Sequence, residues 1–321
     1  MPDLRIPFEP STVAPLPLSW AASRCPLPAT VVELFVSSFH SDVFPDSPRF
    51  DCAGRALTLD RPRVMGILNV TPDSFSDGGR HATPEAALGH ARRLVAEGAD
   101  IVDIGGESTR PGAASVPLAE ELERVVPVIE RLVRELDVVV SIDTSRPEVM
   151  IAAAGAGAGL INDVRALRLP GALEAAANSA LPVCLMHMRG TPGDMQDAPC
   201  YDDPVGEVAD FLVARRTACL EAGIDESRLL FDPGFGFGKT LEHNLVLLRG
   251  LGRFAEIGPV LVGLSRKGMI GALIGEPEAE RVHGSVTAAL LAVQRGAAIV
   301  RVHDVGPTVR ALAVWHGVEH H

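Results

Sequence analysis

Eight polar positions stand where apolar runs of this sequence end. They are Asn69; Glu107 with Thr109 and Arg110; Asp143; Asn162 with Asp163; His187; Asp232; Ser265 with Lys267; and Arg301 with His303. Any one of them could be a cap or a surface residue. Eight at the same end of eight runs is hard to explain by caps alone. The set divides by chemistry. Asp143, Asn162, Asp232 and Lys267 offer acceptors and donors suited to a flat heterocycle with an amidine-like edge, because a carboxylate accepts two N–H bonds side by side. The plain alternative for each buried Asp is an ion pair with a core Lys or Arg. Asn69, Arg110, Ser265, Arg301 and His303 form an anion-facing group. The run Ser265-Arg266-Lys267-Gly268 before Met269-Ile270-Gly271 suits a phosphate held near a helix start.

Side chains of this kind need a frame that brings distant residues to one edge. From Arg63 onward, β-type and helix-type segments alternate. Val64–Leu68, Asp100–Ile104, Val138–Ile142, Gly159–Asn162, Val183–Met186, Leu229–Phe231, Val260–Leu264 and Ile299–Val302 are short apolar runs. Between them lie Ala-, Leu- and Glu-rich stretches of helical length, such as Thr83–Glu97, Leu118–Glu135, Pro204–Ala222 and Glu278–Arg295. Pro84 and Pro147 suit first helical turns, and Gly98 and Gly223 suit helix stops. Eight βα units in about 255 residues imply an α/β fold, a TIM (β/α)8 barrel, over a doubly wound open sheet. In that barrel the functional site lies at the C-terminal strand ends, where the polar positions fall.

Composition sets the limits. The chain has 321 residues, 47% of them hydrophobic and only 4% aromatic, enough for one large domain with additional parts. A net charge of −12 argues against a general nucleic-acid partner and against an anionic membrane surface. No apolar run reaches the roughly 18 residues needed to span a membrane. Five scattered cysteines without a Cys-x-x-Cys pair read as reduced thiols in a cytoplasmic protein. Residues 1–50 carry nine prolines and read as an irregular N-terminal extension. Residues 51–321 form the barrel domain, introduced by a hairpin around Ala53-Gly54 that could plug one end.

The stretch Asp232–Thr240, DPGFGFGKT, looks like a phosphate loop at a glance. A true P-loop needs Gly where Pro233 stands, so the match fails. It reads instead as a loop in which backbone approaches a ligand, with Phe235 and Phe237 either walling the site or packing in the core.

The segments carrying these residues resemble dihydropteroate synthase. NVTPDSFSDGG (69–79), GGESTRPGA (105–113), SIDT (141–144), INDV (161–164), MHMRGTP (186–192), DPGFGFGK (232–239), GLSRK (263–267) and RVHDV (301–305) match that family's segments in order and spacing. The resemblance runs from about Phe50 to the C-terminus. It implies a TIM barrel, a homodimer, and condensation of 6-hydroxymethyl-7,8-dihydropterin diphosphate with 4-aminobenzoate in folate biosynthesis. It also implies Mg²⁺ as cofactor, with Asn69 as the metal-holding position on the diphosphate. Asp143, Asn162, Asp232 and Lys267 match pterin-binding positions, and Arg301 and His303 match diphosphate-binding positions. Thr109, Arg110 and Pro111 lie in the loop beside the aminobenzoate site. Met186, Phe235, Gly263 and Ser265 fall with the substrate-binding positions. Asp143, Lys267, Arg301 and His303 form the implied catalytic set. One departure is Gly268, where some members carry Ser. The rival readings are a pterin-binding methyltransferase domain and a non-catalytic pterin-binding paralogue.

Overall fold

A computed structural model describes residues 47–70, 84–108, 116–191, 193, 195, 198–275 and 281–320. Two short strands come first, β1 (Arg49–Cys52) and β2 (Arg55–Thr58), paired antiparallel. Ala53 and Gly54 turn between them with φ of 55° and 85°. Positive φ at both central residues is what a two-residue hairpin turn requires, and Gly takes it without strain.

Eight parallel strands then close a barrel in the order β10-β3-β4-β5-β6-β7-β8-β9. They are β3 (Arg63–Asn69), β4 (Ile101–Gly105), β5 (Val139–Asp143), β6 (Leu160–Asp163), β7 (Val183–Met186), β8 (Leu229–Asp232), β9 (Val260–Val262) and β10 (Ala297–Val302). Closure is made where β10 pairs with β3, Val300 opposite Val64 and Val302 opposite Gly66. The helices are α1 (Pro84–Ala96), α2 (Leu118–Glu135), α3 (Pro147–Gly155), α4 (Ala172–Ser179), α5 (Pro204–Glu221), α6 (Leu241–Arg249), α7 (Gly252–Ala255), α8 (Gly268–Ile274), α9 (Val282–Val293) and α10 (Val305–His320). The architecture is therefore the TIM barrel with an N-terminal hairpin.

Local sequence explains the elements. Prolines 84, 147 and 204 each occupy a first helical turn, where their missing N–H costs nothing. Helix α2 buries Val125, Val128, Ile129 and Leu132, an i, i+3, i+4, i+7 stripe against the sheet. Most boundaries differ from the sequence expectation by a residue or two. The larger differences are β9, which stops at Val262, two residues short of Leu264, and α9, which begins at Val282 where the sequence pattern begins at Glu278.

Strand alternation sorts side chains between two cores. Outward-facing residues such as Val64, Val102, Val140, Phe231 and Val300 pack against the helices. Inside, Met65, Ile101, Val139, Leu160, Cys184, Leu230, Leu261 and Ile299 form a second cluster, one residue from each strand. The hairpin adds Phe50, Cys52 and Leu57 to this inner cluster and plugs the N-terminal end. It sits so close to β6 that a Cβ on Gly159 would meet the Cys52 carbonyl at 2.7 Å. Arg63 fastens it by donating to the Thr58 carbonyl at 2.6 Å.

Candidate active site

Side chains on a strand alternate, so the residue two places beyond each inner apolar residue again faces inward. Those residues are Ile67, Asp103, Ser141, Asn162, Met186, Asp232, Gly263 and Arg301. One step further come Asn69 and Asp143 at strand ends, and Ser265 and His303 just beyond them. The barrel interior thus changes from wholly apolar to polar or charged within two residues on five of the eight strands.

Arg301 lies at the centre of the charged layer. Its Nε donates to Asp103 Oδ2 at 2.6 Å and its Nη2 to Asp143 Oδ2 at 2.8 Å. Asn162 Nδ2 donates to the same Asp103 oxygen at 3.1 Å. Asp103 is fully buried, and its other oxygen, like the hydroxyl of Ser141, has no hydrogen-bond partner. On the facing side, Asp232 Oδ1 accepts the Gly234 N–H at 2.7 Å. Lys267 donates to the Phe235 carbonyl and lies 4.7 Å from the Phe237 ring centroid.

Three carboxylates (Asp103, Asp143, Asp232) therefore gather around Arg301 and Lys267, with the buried Asp163 carboxylate and the Lys239 ammonium acting on them from behind. Burial pushes the Asp143 carboxyl up to about 7; Arg301 opposes this, and the nearby Asp103 adds to it. Asp232 is also raised by burial, against the pull of Lys267. Lys267 is lowered to about 8 by burial, with Asp232 opposing. Burial alone would lower Arg301, but Asp103 and Asp143 hold it above its ordinary value. Burial raises the Asp143 and Asp232 carboxyls and Asp103 Oδ1 has no partner, so a ligand bringing N–H donors would satisfy these acceptors.

Above the cluster opens a cavity of about 720 Å³, lined by Asn69, Asp143, Lys267, Arg301, His303 and the Phe237 ring, among others. Ser265 also faces it; its Oγ accepts the His303 N–H at 3.2 Å and lies 3.1 Å from His303 Nδ1. Asn162, Asp232 and Met186 lie beneath as its floor, each no more than 5% exposed. Gly263 is placed between the two cations, since a Cβ there would lie 3.8 Å from Lys267 Nζ and 4.0 Å from Arg301 Cβ. The Phe235 side chain is fully buried in the outer core, and only its carbonyl turns toward the site. Thr109, Arg110 and Pro111 lie outside the described residues. A smaller cleft of about 230 Å³ at the opposite end, lined by Phe50, Phe231 and Pro259 among others, gathers no comparable set of polar groups.

His187 stands apart from the cavity. It lies beneath the glycine-rich loop, with Nδ1 2.9 Å from Lys239 Nζ. Sequence reasoning did not single out Asp103, Ser141 or Lys239 as site residues. Asp103 had a signal, an aspartate two places before the end of an otherwise apolar run. Buried Glu121 of α2 went unnoticed too; it accepts from Thr144 Oγ1 at 2.8 Å and pairs with Arg146 at 3.3 Å.

The pterin binding enzyme family model matches residues 65–303. Dihydropteroate synthase of Escherichia coli K12 is 53% identical over 262 residues, covering 81% of this chain and 93% of that protein. The barrel superposes on Xanthomonas albilineans dihydropteroate synthase solved with 4-aminobenzoic acid, with TM-score 0.82 and 62% identity over 86% of this chain and 99% of that one. This chain belongs to the dihydropteroate synthase family. A second Xanthomonas albilineans dihydropteroate synthase structure, in complex with 7,8-dihydropteroate, is 59% identical with TM-score 0.79, covering 85% of this chain and all of that one. Membership of the dihydropteroate synthase family makes the chain a transferase. Among the described residues, no helix is long and apolar enough to cross a membrane.

Proposed function

We propose that the charged layer and the cavity above it carry out the dihydropteroate synthase reaction, with the pterin seated on the acidic floor. The reaction joins the methylene carbon of 6-hydroxymethyl-7,8-dihydropterin diphosphate to the amine of 4-aminobenzoate. A carbon–oxygen bond breaks, diphosphate leaves with the bonding pair, a carbon–nitrogen bond forms, and the amine releases one proton. The observation that carries this reading is the set of buried carboxylates, one of them with an unpartnered oxygen, beneath an open cavity.

In this reading Asp232 and Asn162 take the amino and ring N–H edge of the pterin, and Lys267 donates to its acceptors. Asp103 holds Arg301 and Asn162 in place. Asp143, at the rim, offsets positive charge developing at the methylene. Arg301 spends two donor groups on Asp103 and Asp143, so its remaining N–H groups and His303 face the departing diphosphate. An aromatic amine is nucleophilic as it stands, so no strong base is needed. Thr109, Arg110 and Pro111 complete the aminobenzoate side, as their family positions imply.

Mg²⁺ belongs to this reading as a companion of the diphosphate. The described residues hold no group of three or more His, Cys, Asp or Glu that could bind a metal. The fit rests on Asn69, whose amide oxygen lies at the rim, 3.7 Å from where a Gly105 Cβ would sit. One hard oxygen ligand with phosphate oxygens is an ordinary Mg²⁺ arrangement. When bound, the ion neutralises charge on the leaving diphosphate. Free Cys52, Cys184, Cys200 and Cys219 support a cytoplasmic setting. Exposed apolar side chains on α8 and α10, Leu273 (54% exposed) and Val318 (75%) among them, support a homodimer.

Calorimetric titration with the pterin tests the assignment. Asp232→Ala is expected to abolish detectable binding, because a buried carboxylate paired with two N–H donors is hard to replace. Near-normal affinity in that variant overturns the reading of the floor.

A further inference from the structure

The glycine-rich stretch after β8 looks like a phosphate loop in sequence but is built the opposite way round. A phosphate loop turns backbone N–H groups toward an anion. Here Gly234, Gly236 and Gly238 take φ of 69°, 80° and 65°, and the carbonyls turn toward two ammonium groups. Side chains are shut out at both ends of the loop: a Cβ on Gly234 would collide with the His187 carbonyl, and one on Gly238 with the Arg189 carbonyl.

Lys239 is 3% exposed. Its Nζ donates to the Gly234 carbonyl at 2.8 Å and the Phe237 carbonyl at 3.0 Å, and lies 2.9 Å from His187 Nδ1. Burial pushes the Lys239 ammonium well below its ordinary value, with Asp232 opposing, and its N–H groups are matched by three neutral acceptors. Burial and the neighbouring Lys239 keep the His187 ring neutral, pushing its pKa down to about 2, so one ring nitrogen can accept from Lys239. Its ring is held edge-on against Phe211, with centroids 4.9 Å apart. Tyr201 braces the far end by donating to the Gly238 carbonyl at 2.9 Å.

Between the two carbonyls drawn to Lys239 lies Phe235, whose carbonyl points the other way and accepts from Lys267. The loop touches Lys267 twice more: a Cβ on Gly236 would lie 3.2 Å from Lys267 Cδ, and Phe237 lies under Nζ. We propose that Lys239 is a positioning residue: by drawing the Gly234 and Phe237 carbonyls onto itself it turns the Phe235 carbonyl onto Lys267, and so fixes Lys267 for the pterin. The inference rests on the reading that Lys267 contacts the pterin. Lys239 itself contacts neither substrate through its ammonium, whose donors are spent on the loop and His187.

The test uses the full-length protein, with pterin affinity by calorimetry and KM for both substrates measured on Lys239→Met, Gly236→Ala and Lys267→Met. Lys239→Met keeps the stem and removes the donors. It is expected to raise the pterin Kd and KM at least tenfold while the aminobenzoate KM stays within about twofold. Unchanged pterin affinity in folded Lys239→Met overturns the proposal, and so does an equal loss for both substrates. If Lys239→Met fails to fold, Gly236→Ala decides. Its added methyl meets Lys267 Cδ and also strains the backbone, which holds φ of 80° there; a fivefold or greater loss of pterin affinity is expected, an unchanged affinity being contrary. Lys267→Met separates the two levels. If it binds pterin normally, the site reading fails; if it loses pterin while Lys239→Met does not, only the present inference fails.

Discussion

The two ends of the barrel interior are built from the same eight strands and have opposite chemistry. At the N-terminal end every strand contributes an apolar side chain, and the hairpin closes the plug with Phe50, Cys52 and Leu57. Two residues along, about 7 Å at 3.3 Å per residue, the same strands present Asp103, Ser141, Asn162, Asp232 and Arg301. The first layer gains stability from burial alone. The second contains buried charges and two polar atoms without partners, Asp103 Oδ1 and the Ser141 hydroxyl. Strain of that kind is what a site retains when a ligand completes it. If the proposed site is right, stability and function are separated along each strand, and changes at the two ends should have separable effects.

The largest effect should come from removing the shared cation. Arg301→Met strands Asp103 and Asp143 in the interior. Breaking a buried pair in this way costs about 3–5 kcal/mol, and activity should vanish. Denaturant unfolding and diphosphate release measure the two losses. A variant that loses activity but keeps its stability would remove the charge balance from the comparison.

At the apolar end, Leu230→Ala opens a cavity in the plug. It should cost about 2–5 kcal/mol, with both KM values unchanged below the new unfolding temperature. A raised pterin KM would show that the two ends are coupled.

The pH dependence sharpens the comparison from the charged side. Asp143 is raised to about 7 and Lys267 lowered to about 8. The value of kcat/KM should rise as pH climbs through about 7, where Asp143 ionises, and fall through about 8, where Lys267 loses its proton. For stability the sign is opposite on the acid side. Folded Asp143 binds its proton more tightly than the unfolded chain does, so its contribution declines as pH rises from about 4 to 7. In Asp143→Asn both the acid limb of activity and that decline should disappear. Retention of the acid limb would assign it to another group.

The smallest effect is expected at the N-terminus. Removing residues 1–46 leaves the hairpin intact, and turnover should stay within about twofold. A large loss with the barrel still folded would show that the extension reaches the site or a subunit contact.

The fold was legible because apolar runs and helical stretches alternate after Arg63, although two helices stand between β8 and β9 and two between β9 and β10. Leu118–Glu135 and Val183–Met186 come out with the same bounds in sequence and structure. Strand ends were legible as polar residues following apolar ones, which is how Asn69, Asp143, Ser265 and His303 were found. Two kinds of residue were harder to see. Asp103 lies inside its strand rather than at the end, so its role emerges only from which way the strand faces. His187 and Lys239 are 52 positions apart in sequence. Nothing in their local patterns shows that one will neutralise the donors of the other. Phe235 could be read as cavity wall or as core, and burial places its ring in the core while its carbonyl accepts from Lys267.

The central claim is that the pterin sits on the charged layer, and a structure with bound 6-hydroxymethyl-7,8-dihydropterin diphosphate tests it most directly. The expected result places the amino and ring N–H edge of the pterin within hydrogen-bond distance of Asp232 and Asn162, with Lys267 on its acceptor side and the diphosphate toward Asn69 and His303. A pterin found in the cavity but away from Asp232, or with its diphosphate turned into the acidic floor, would contradict it.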